Sequence, residues 1–510
     1  MQTNKKIAIV WFKKDLRTED HSALMECLAY TPNVLPLYVL EPDFWRQEDS
    51  SGRQFEFLLE CLEELSHELS SLGQPLVIRT GKVVEVLQGI QQTHKITGIF
   101  SHEETGNLWT YERDLEVGKW CKVHRVPWKE IPHTGVVRRL DDRDGWARNW
   151  DKRMSQPLLG KPDHLQRIAG IGSETVESLQ NYSPPHDRCP ERQNGGRRNG
   201  LKNLDSFLLG RGENYRKAMS SPATAFDSCS RLSPYIAYGV LSLKEIVQKT
   251  KKVHQLKKEE DSSLSSKFRN SLNSFKGRLH WHCHFIQKLE DEPTLENVEM
   301  HDALRGLRPP TPAVGYLDAW RNGQTGFPFV DACMRCLKET GWMNFRMRAM
   351  LVSFSSYNLW LHWKEPGNHL ARLFTDYEPG IHWPQLQMQS GTTGINSIRV
   401  YNPVKQGMDQ DETGAFTRRW VPELEAVPDE YLQEPWKWRK LSVTHNINYP
   451  EQIVDHLETA KLARQKIWER KKSKEARQEA GEIMRKHGSR KRNTRNQRPK
   501  MKQITMKLAE

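Results

Sequence analysis

The 510-residue chain contains no apolar run approaching the ~20 residues that a membrane-spanning helix requires. Its opening, MQTNKKIAIVWF, holds one short apolar stretch and continues into KKDLRTED without a small-residue cleavage site. That reads as a first strand rather than a secretory signal. Eight cysteines are scattered along the chain, which excludes a disulfide scaffold and fits a reducing, cytoplasmic location. No Gly-x-Gly-x-x-Gly follows the first strand, so the dinucleotide fingerprint is absent. The cluster His280, His282, Cys283 and His284 has no second Cys/His pair at finger spacing, and helical residues two apart face different sides. No metal site is expected there, and Cys333 and Cys336 in DACMRC read as core thiols.

The body of the chain also lacks net charge. The whole sequence carries 77 Lys and Arg against 64 Asp and Glu, a formal charge of +13. Residues 461–510 hold 18 of those bases and 5 of the acids, which leaves 59 of each sign elsewhere. The excess therefore sits in the tail, where it either adds non-specific contact to nucleic acid or forms a solvated extension.

The apolar pattern divides the sequence. Over the first ~130 residues the β-like runs IAIVWF, VLPLYVL, PLVIRT, ITGIFS and VPWKEI alternate with segments of helical spacing. Strands alternating with helices predict an α/β domain with a parallel sheet, assigned to residues 1–135. Residues 136–200, ending in SPPHDRCPERQNGGRRNG, have linker composition. From 201 to 440 the period becomes 3.6 residues and predicts an all-helical domain. Residues 441–510 read as a polar tail, one long helix followed by a basic, disordered end.

Residues 340–363, TGWMNFRMRAMLVSFSSYNLWLHW, look like a buried helix with Arg346 and Arg348 unpaired within a turn. A buried cation needs a partner from elsewhere. Asp376 and Glu378, placed at a helix end before a Gly/Pro loop, are candidates. Ser230 and Ser233 of CSRLSPYIAYG precede a helix, where hydroxyls and free N–H groups bind phosphate or simply cap. Arg278, Trp281 and His282 in GRLHWHCHF offer a cation beside an aromatic on one helical side.

Taken together, VWFKKDLRTEDHSAL, SRLSPYIAYGVLS, TGFPFVDACMRCLKETGWMNFRMRAM and RVYNPVKQGMDQDETGAFTRRWVPEL resemble the cryptochrome/photolyase family over roughly residues 5–430. The resemblance implies an N-terminal Rossmann-like antenna domain and an all-α domain holding a U-shaped FAD. Carried over, Tyr215, Ser230, Leu232 and Ser233 touch the FAD phosphates and ribityl chain, and His282 stands where the family has an arginine near the pyrophosphate. Asn344 and Arg346 lie near the cofactor, Arg348 pairs with Asp376, and Asp376 and Glu378 hold the polar edge of the flavin ring. Gly380 or His382 faces flavin N5.

Trp281 is one aromatic wall of a lesion pocket, flanked by Arg278 in place of a glutamate and Phe345 in place of an asparagine. Trp363 matches an electron-relay tryptophan. Pro384 and Leu386 replace two others, and Trp383 is their neighbour. Glu103, Glu104 and Asn107 follow a strand where a second antenna chromophore of the pterin/folate or deazaflavin type can bind. The implied activity is a FAD-dependent blue-light DNA photolyase (a carbon–carbon lyase) acting on ultraviolet-induced pyrimidine lesions. The alternative is a cryptochrome-like photoreceptor without repair. The implied partner is damaged DNA, single- or double-stranded, bound by a monomer, nucleoid-associated in a bacterium.

Overall fold

The computed structural model describes residues 5–185, 187–259, 263–311, 314–441 and 447–490. Five parallel strands, β1 (Lys6–Phe12), β2 (Val34–Leu40), β3 (Val77–Thr80), β4 (Lys95–His102) and β5 (Trp128–Ile131), form one sheet in the order β3-β2-β1-β4-β5. They coincide with the five β-like runs of the sequence. Helices α1 (Ser22–Tyr30), α2 (Gly52–Ser71), α3 (Val83–Thr93) and α4 (Leu108–His124) connect them, as parallel pairing requires. Alternation along β1 sorts its side chains. Ile7, Ile9 and Trp11 pack with Val83, Leu87 and Trp120. Ala8, Val10 and Phe12 join a core that continues through Phe55 and Phe57 into Tyr235, Leu279 and Ile286 of the helical part. One hydrophobic core thus spans both halves.

The stretch read as a linker contains a helix, α5 (Trp146–Met154), whose Trp146, Trp150 and Met154 are buried. Beyond it the chain lies on the α/β domain, with Leu165 N–H donating to Leu72 O at 2.7 Å and Ile168 N–H to the Gln74 amide oxygen at 2.7 Å. It is ordered because it finds backbone partners there.

The helical part centres on α6 (Leu243–Glu259) and the 29-residue α7 (Ser263–Asp291). In α7, Phe268, Leu272, Phe275, Leu279, Cys283 and Ile286 recur every three or four residues and are buried, while Arg278 is exposed. Helices α8 (Pro328–Thr340), α9 (Phe345–Ser353), α10 (Lys364–Leu373) and α11 (Pro379–Ser390) complete the set that carries the site. Residues 340–363 are not one helix. α9 passes into a π-helical turn, Phe354–Asn358, and Trp360 takes φ +54°. The Gly/Pro segment after Glu378 is helical, with Pro384 inside α11. Pro379 at its start and the Glu378 carboxylate accepting from Gly380 N–H nucleate it.

The polar tail is two helices rather than one, α12 (His456–Lys471) and α13 (Lys474–His487), broken where Ser473 caps the second. Both are docked, burying Ala463, Ile467, Ile483 and His487. The basic end from 491 lies outside the described residues. No described helix is long and apolar enough to cross a membrane.

Candidate flavin site

Helices α7 and α11 cross so closely that a Cβ on Gly380 would stand 2.8 Å from the Ile286 Cα. That approach brings Glu378 beside His282. Both line a cavity that is partly open to solvent, with Ile236, Ala237, Leu241 and Ile286. From the α/β domain, Lys14, Asp15, His102, Glu104 and His133 reach the same space. The cavity lies at the carboxyl ends of β1 and β4, where the strand order reverses and open α/β sheets leave a crevice. Gly239 at φ +62° closes the joint, since a Cβ there would meet Lys14 O at 2.1 Å.

Arg348 finds its partner in Asp376. Nη1 and Nη2 donate to the two carboxylate oxygens at 3.0 and 2.7 Å, Nε donates to Met343 O at 2.6 Å, and the guanidinium lies 3.9 Å over the Phe374 ring. A bidentate pair of this kind fixes both orientation and charge. Glu378, by contrast, makes no ion pair among the described residues. Burial pushes its carboxyl up, opposed by Lys14. Burial likewise drives His282 down to about 4 and His382 down to about 3, so both imidazoles are neutral near pH 7. His382 Nε2–H donates to Gly367 O at 2.9 Å, which leaves Nδ1 as its acceptor.

Asn344 precedes α9 and donates to Met219 O and Ser220 O at 3.1 and 2.8 Å, with its own side-chain oxygen buried and unpartnered among the described residues. Arg346 Nε is likewise buried without an acceptor among the described residues, and its side chain lines a second cavity with Arg399, Tyr401, Asn402 and Lys405. Leu232 is buried at the start of the five-residue turn Ser233–Ala237, between half-buried Ser230 and Ser233.

Tyr215 packs against Phe207 and Phe275 at 5.6 and 5.9 Å, with burial raising its phenol and Arg278 opposing the rise. Arg278 in turn lies 5.8 Å from the ring of Phe345, which is 45% exposed. Trp281 stands one turn along α7, 5.8 Å from Phe285. Trp363 and Trp383 are buried with ring centroids 6.0 Å apart; Trp363 Nε1–H donates to Glu299 at 3.2 Å and Lys364 lies 3.9 Å over Trp383.

One half-buried cation left no clear sign in the sequence. Arg231 sits at φ +57°, 4.3 Å over Trp342 and 4.7 Å over Phe226, and Nε donates to the Gln193 side chain at 3.0 Å. It makes no ion pair among the described residues, and burial brings it down to about 10. An arginine between two hydroxyls in an otherwise apolar motif was the available signal.

Asp15, His21 and His102 have metal-ligand proximity, yet their hydrogen bonds argue otherwise. His21 Nδ1 accepts from Leu24 N–H at 3.0 Å and His102 Nε2 from Ala23 N–H at 3.3 Å. The remaining ring nitrogens therefore carry the protons and face Asp15 at 3.1 and 2.7 Å. A metal on those nitrogens would force an N–H against each backbone N–H. Nearby, Glu104 is held by Arg113 and Lys13 at 2.7 and 3.5 Å; despite burial they bring it to about 2. Asn107 caps α4 and donates to Asp49 at 3.2 Å.

A family description, FAD binding domain of DNA photolyase, matches residues 275–469, and a second, DNA photolyase, matches residues 8–141. The chain belongs to the photolyase/cryptochrome family. Among relatives in the photolyase/cryptochrome family, a deoxyribodipyrimidine photo-lyase of Streptomyces griseus is 28% identical over 88% of this chain and 96% of its own length. A cryptochrome DASH of Gloeobacter violaceus is 27% identical over 89% and 94%. In fold, the chain is similar to a bacterial class III photolyase from Agrobacterium tumefaciens, with a TM-score of 0.79 and 23% identity over 93% of this chain and 99% of that one. An archaeal photolyase from Sulfolobus tokodaii, described with two FAD molecules, gives a TM-score of 0.74 at 23% identity over 91% of this chain and 99% of that one.

The donor set suits FAD. Carboxylates of the kind at Asp376 and Glu378 would accept from ring N–H groups, hydroxyls and the Arg231 cation would meet phosphates, and apolar side chains such as Ile236, Leu241 and Ile286 would face a ring system. The unpartnered Asn344 oxygen and Arg346 Nε are buried polar atoms of the kind a ligand satisfies.

Proposed function

We propose that this member of the photolyase/cryptochrome family is a light-driven DNA photolyase that repairs ultraviolet-induced pyrimidine lesions. The observation that carries the reading is a set of aromatic and cationic side chains on the helical part. Arg278 lies 5.8 Å from the exposed Phe345 ring and one helical turn from Trp281, and Arg346, Arg399 and Lys405 line a separate cationic cavity. A flipped pyrimidine pair needs an aromatic face, and its flanking phosphates need cations. Bound in the helical domain, reduced flavin supplies the light-excited electron that splits the lesion.

In this reading Arg348 fixes Asp376 beside the polar edge of the ring, and Glu378 provides a second acceptor there. Neutral His282 contributes hydrogen bonding but no charge, so Arg231, half-buried, is the cation offered to the pyrophosphate, beside Ser230 and Ser233. Asn344 and Tyr215 complete the wall. Gly380, tight against Ile286, leaves no side chain on that side of α11, and His382 presents Nδ1. Trp383 and Trp363, 6.0 Å apart, are close enough to exchange an electron, with Glu299 accepting the Trp363 N–H. The locked ion pairs of Glu104 and the capping duty of Asn107 leave Glu103, which makes no ion pair among the described residues, as the acid of the proposed second-chromophore position. We assign residues 5–135 to the antenna domain and 201–440 to the flavin domain, with 136–200 joining them and 441–490 a docked extension.

A photoreceptor without repair is the second reading, favoured by Pro384 and Leu386 where relay tryptophans fall and by the docked α12–α13 extension. Repair of an irradiated oligonucleotide under blue light by the reduced, flavin-loaded protein separates the two. Restored pyrimidines support the photolyase. Flavin photoreduction with persistent lesions in both single and double strands supports the photoreceptor.

A further inference from the structure

The structure assigns the consecutive helices α12 and α13 a role as a second nucleic-acid surface, a rigid platform for the phosphodiester backbone with Trp468 as its stacking face. The inference goes beyond the lesion site and needs neither flavin nor light.

Both helices are part of the folded body. Ala463 and Ile467 are buried against Leu304 and Tyr357, and Ile483 against Leu289, Leu295 and Met300. His301, fully buried, meets Ala476 O through Nε2 at 3.0 Å and the Glu479 carboxylate through Nδ1 at 3.0 Å. Lys486 reaches Glu292 at 2.8 Å and Arg490 reaches Asp144 at 2.7 Å. What this frame holds outward is positive. Residues 456–490 contain eleven Lys and Arg against five Glu. Lys486 and Arg490 are used in docking, but Lys461, Arg470, Lys471, Lys474, Arg477 and Arg485 join no ion pair among the described residues.

Four of the five residues 470–474 at the turn are cations. One helical turn before it, Trp468 is 65% exposed, with Lys472 5.9 Å from its ring.

A merely solvated helix interleaves its charges, and the body of this chain is balanced. Concentrating like charges on a docked surface is unfavourable unless a polyanion meets it. An exposed tryptophan among cations adds the sequence-tolerant stacking that single strands use. A membrane-surface helix would keep its apolar stripe outward, whereas Ala460, Ala463 and Ile467 already face the body. The platform is also continuous with the cationic cavity. α12 packs beside Ile398 and Val400, which flank Arg399.

The test measures binding of the full-length protein to labelled, undamaged duplex and single-stranded oligonucleotides across a salt series in the dark. The quadruple variant Arg470→Gln, Lys471→Gln, Lys472→Gln, Lys474→Gln is compared with Trp468→Ala and Trp468→Phe. Each lost duplex phosphate contact lowers the slope of log K against log salt by ~0.9, so the quadruple variant is expected to lose ~2–4 from it. Trp468→Ala weakens single-strand binding roughly tenfold and Trp468→Phe restores most of it. Equal thermal melting of all variants shows that the exposed substitutions leave the fold intact. An unchanged salt slope in the quadruple variant overturns the proposal. So does loss of binding to phosphatidylserine vesicles with oligonucleotide binding intact.

Discussion

Replacing Asp376 by Asn leaves Arg348 with Met343 O and the Phe374 ring but without its carboxylate. Removing one partner of a buried pair costs ~3–5 kcal/mol because the other charge stays uncompensated. Here the Asp376 side chain is 3% exposed and that of Arg348 is 25%, so water screens part of the orphaned cation. The expected loss is ~2–4 kcal/mol. Urea unfolding of the helical part, followed by tryptophan fluorescence, reads it as a lower midpoint. The double variant Arg348→Met, Asp376→Leu removes both charges and is expected to recover most of that stability. It is not expected to recover flavin, because the acceptor at the ring edge is gone. Two results would refute the reasoning: wild-type unfolding of Asp376→Asn, or wild-type flavin content in the double variant.

Gly380→Ala forces a Cβ to 2.8 Å from the Ile286 Cα, a backbone contact that cannot rotate away. It is expected to destabilise by ~1–3 kcal/mol and to lower flavin content, and normal melting would contradict the close α7–α11 crossing. Asp331 accepts from Thr325 N–H at 2.9 Å, Thr325 Oγ1 at 2.6 Å, Gly326 N–H at 3.1 Å and the Tyr449 hydroxyl, yet burial raises it to about 6. Unfolded it ionises near ~4, so its contribution is fully present below that pH and is lost as pH rises through about 6, amounting to ~3 kcal/mol. The stability gap between wild type and Asp331→Asn should therefore shrink from pH 4 to pH 7; a gap independent of pH would contradict the assignment. Trp281→Ala should weaken binding of dimer-containing DNA by ~1–3 kcal/mol with little effect on undamaged duplex, by analogy with single-strand stacking, and equal losses on both would remove Trp281 from the lesion wall.

Much of this architecture was legible because it rests on local periodicity. The period of two in IAIVWF and the 3–4 spacing along α7 each reflect a side that must be buried. That Arg346 and Arg348 need a distant acid was legible from two unpaired cations in an apolar segment, whereas the choice of Asp376 for Arg348 came from the family resemblance. Other features depend on tertiary context. Pro384 costs α11 a hydrogen bond, but burial of Trp383 and Leu386 on the same helix holds it together, so a segment that reads as a loop is helical. α12 and α13 dock through few apolar residues, too few for their composition to reveal it. The left-handed backbone of Arg231 and Trp360 leaves no trace in residue type. Trp360 is held between Arg308 and Lys466, each 4.7 Å from its ring, by elements over 50 residues before it and over 100 after.

The most direct test of the account is the absorption spectrum of the purified full-length protein, with any cofactor released by denaturation and identified. The account predicts about one FAD per chain, photoreduced under blue light and much depleted in Asp376→Asn. A protein that stays flavin-free after refolding with excess FAD, or that holds FAD equally well without Asp376 and Glu378, would contradict the site.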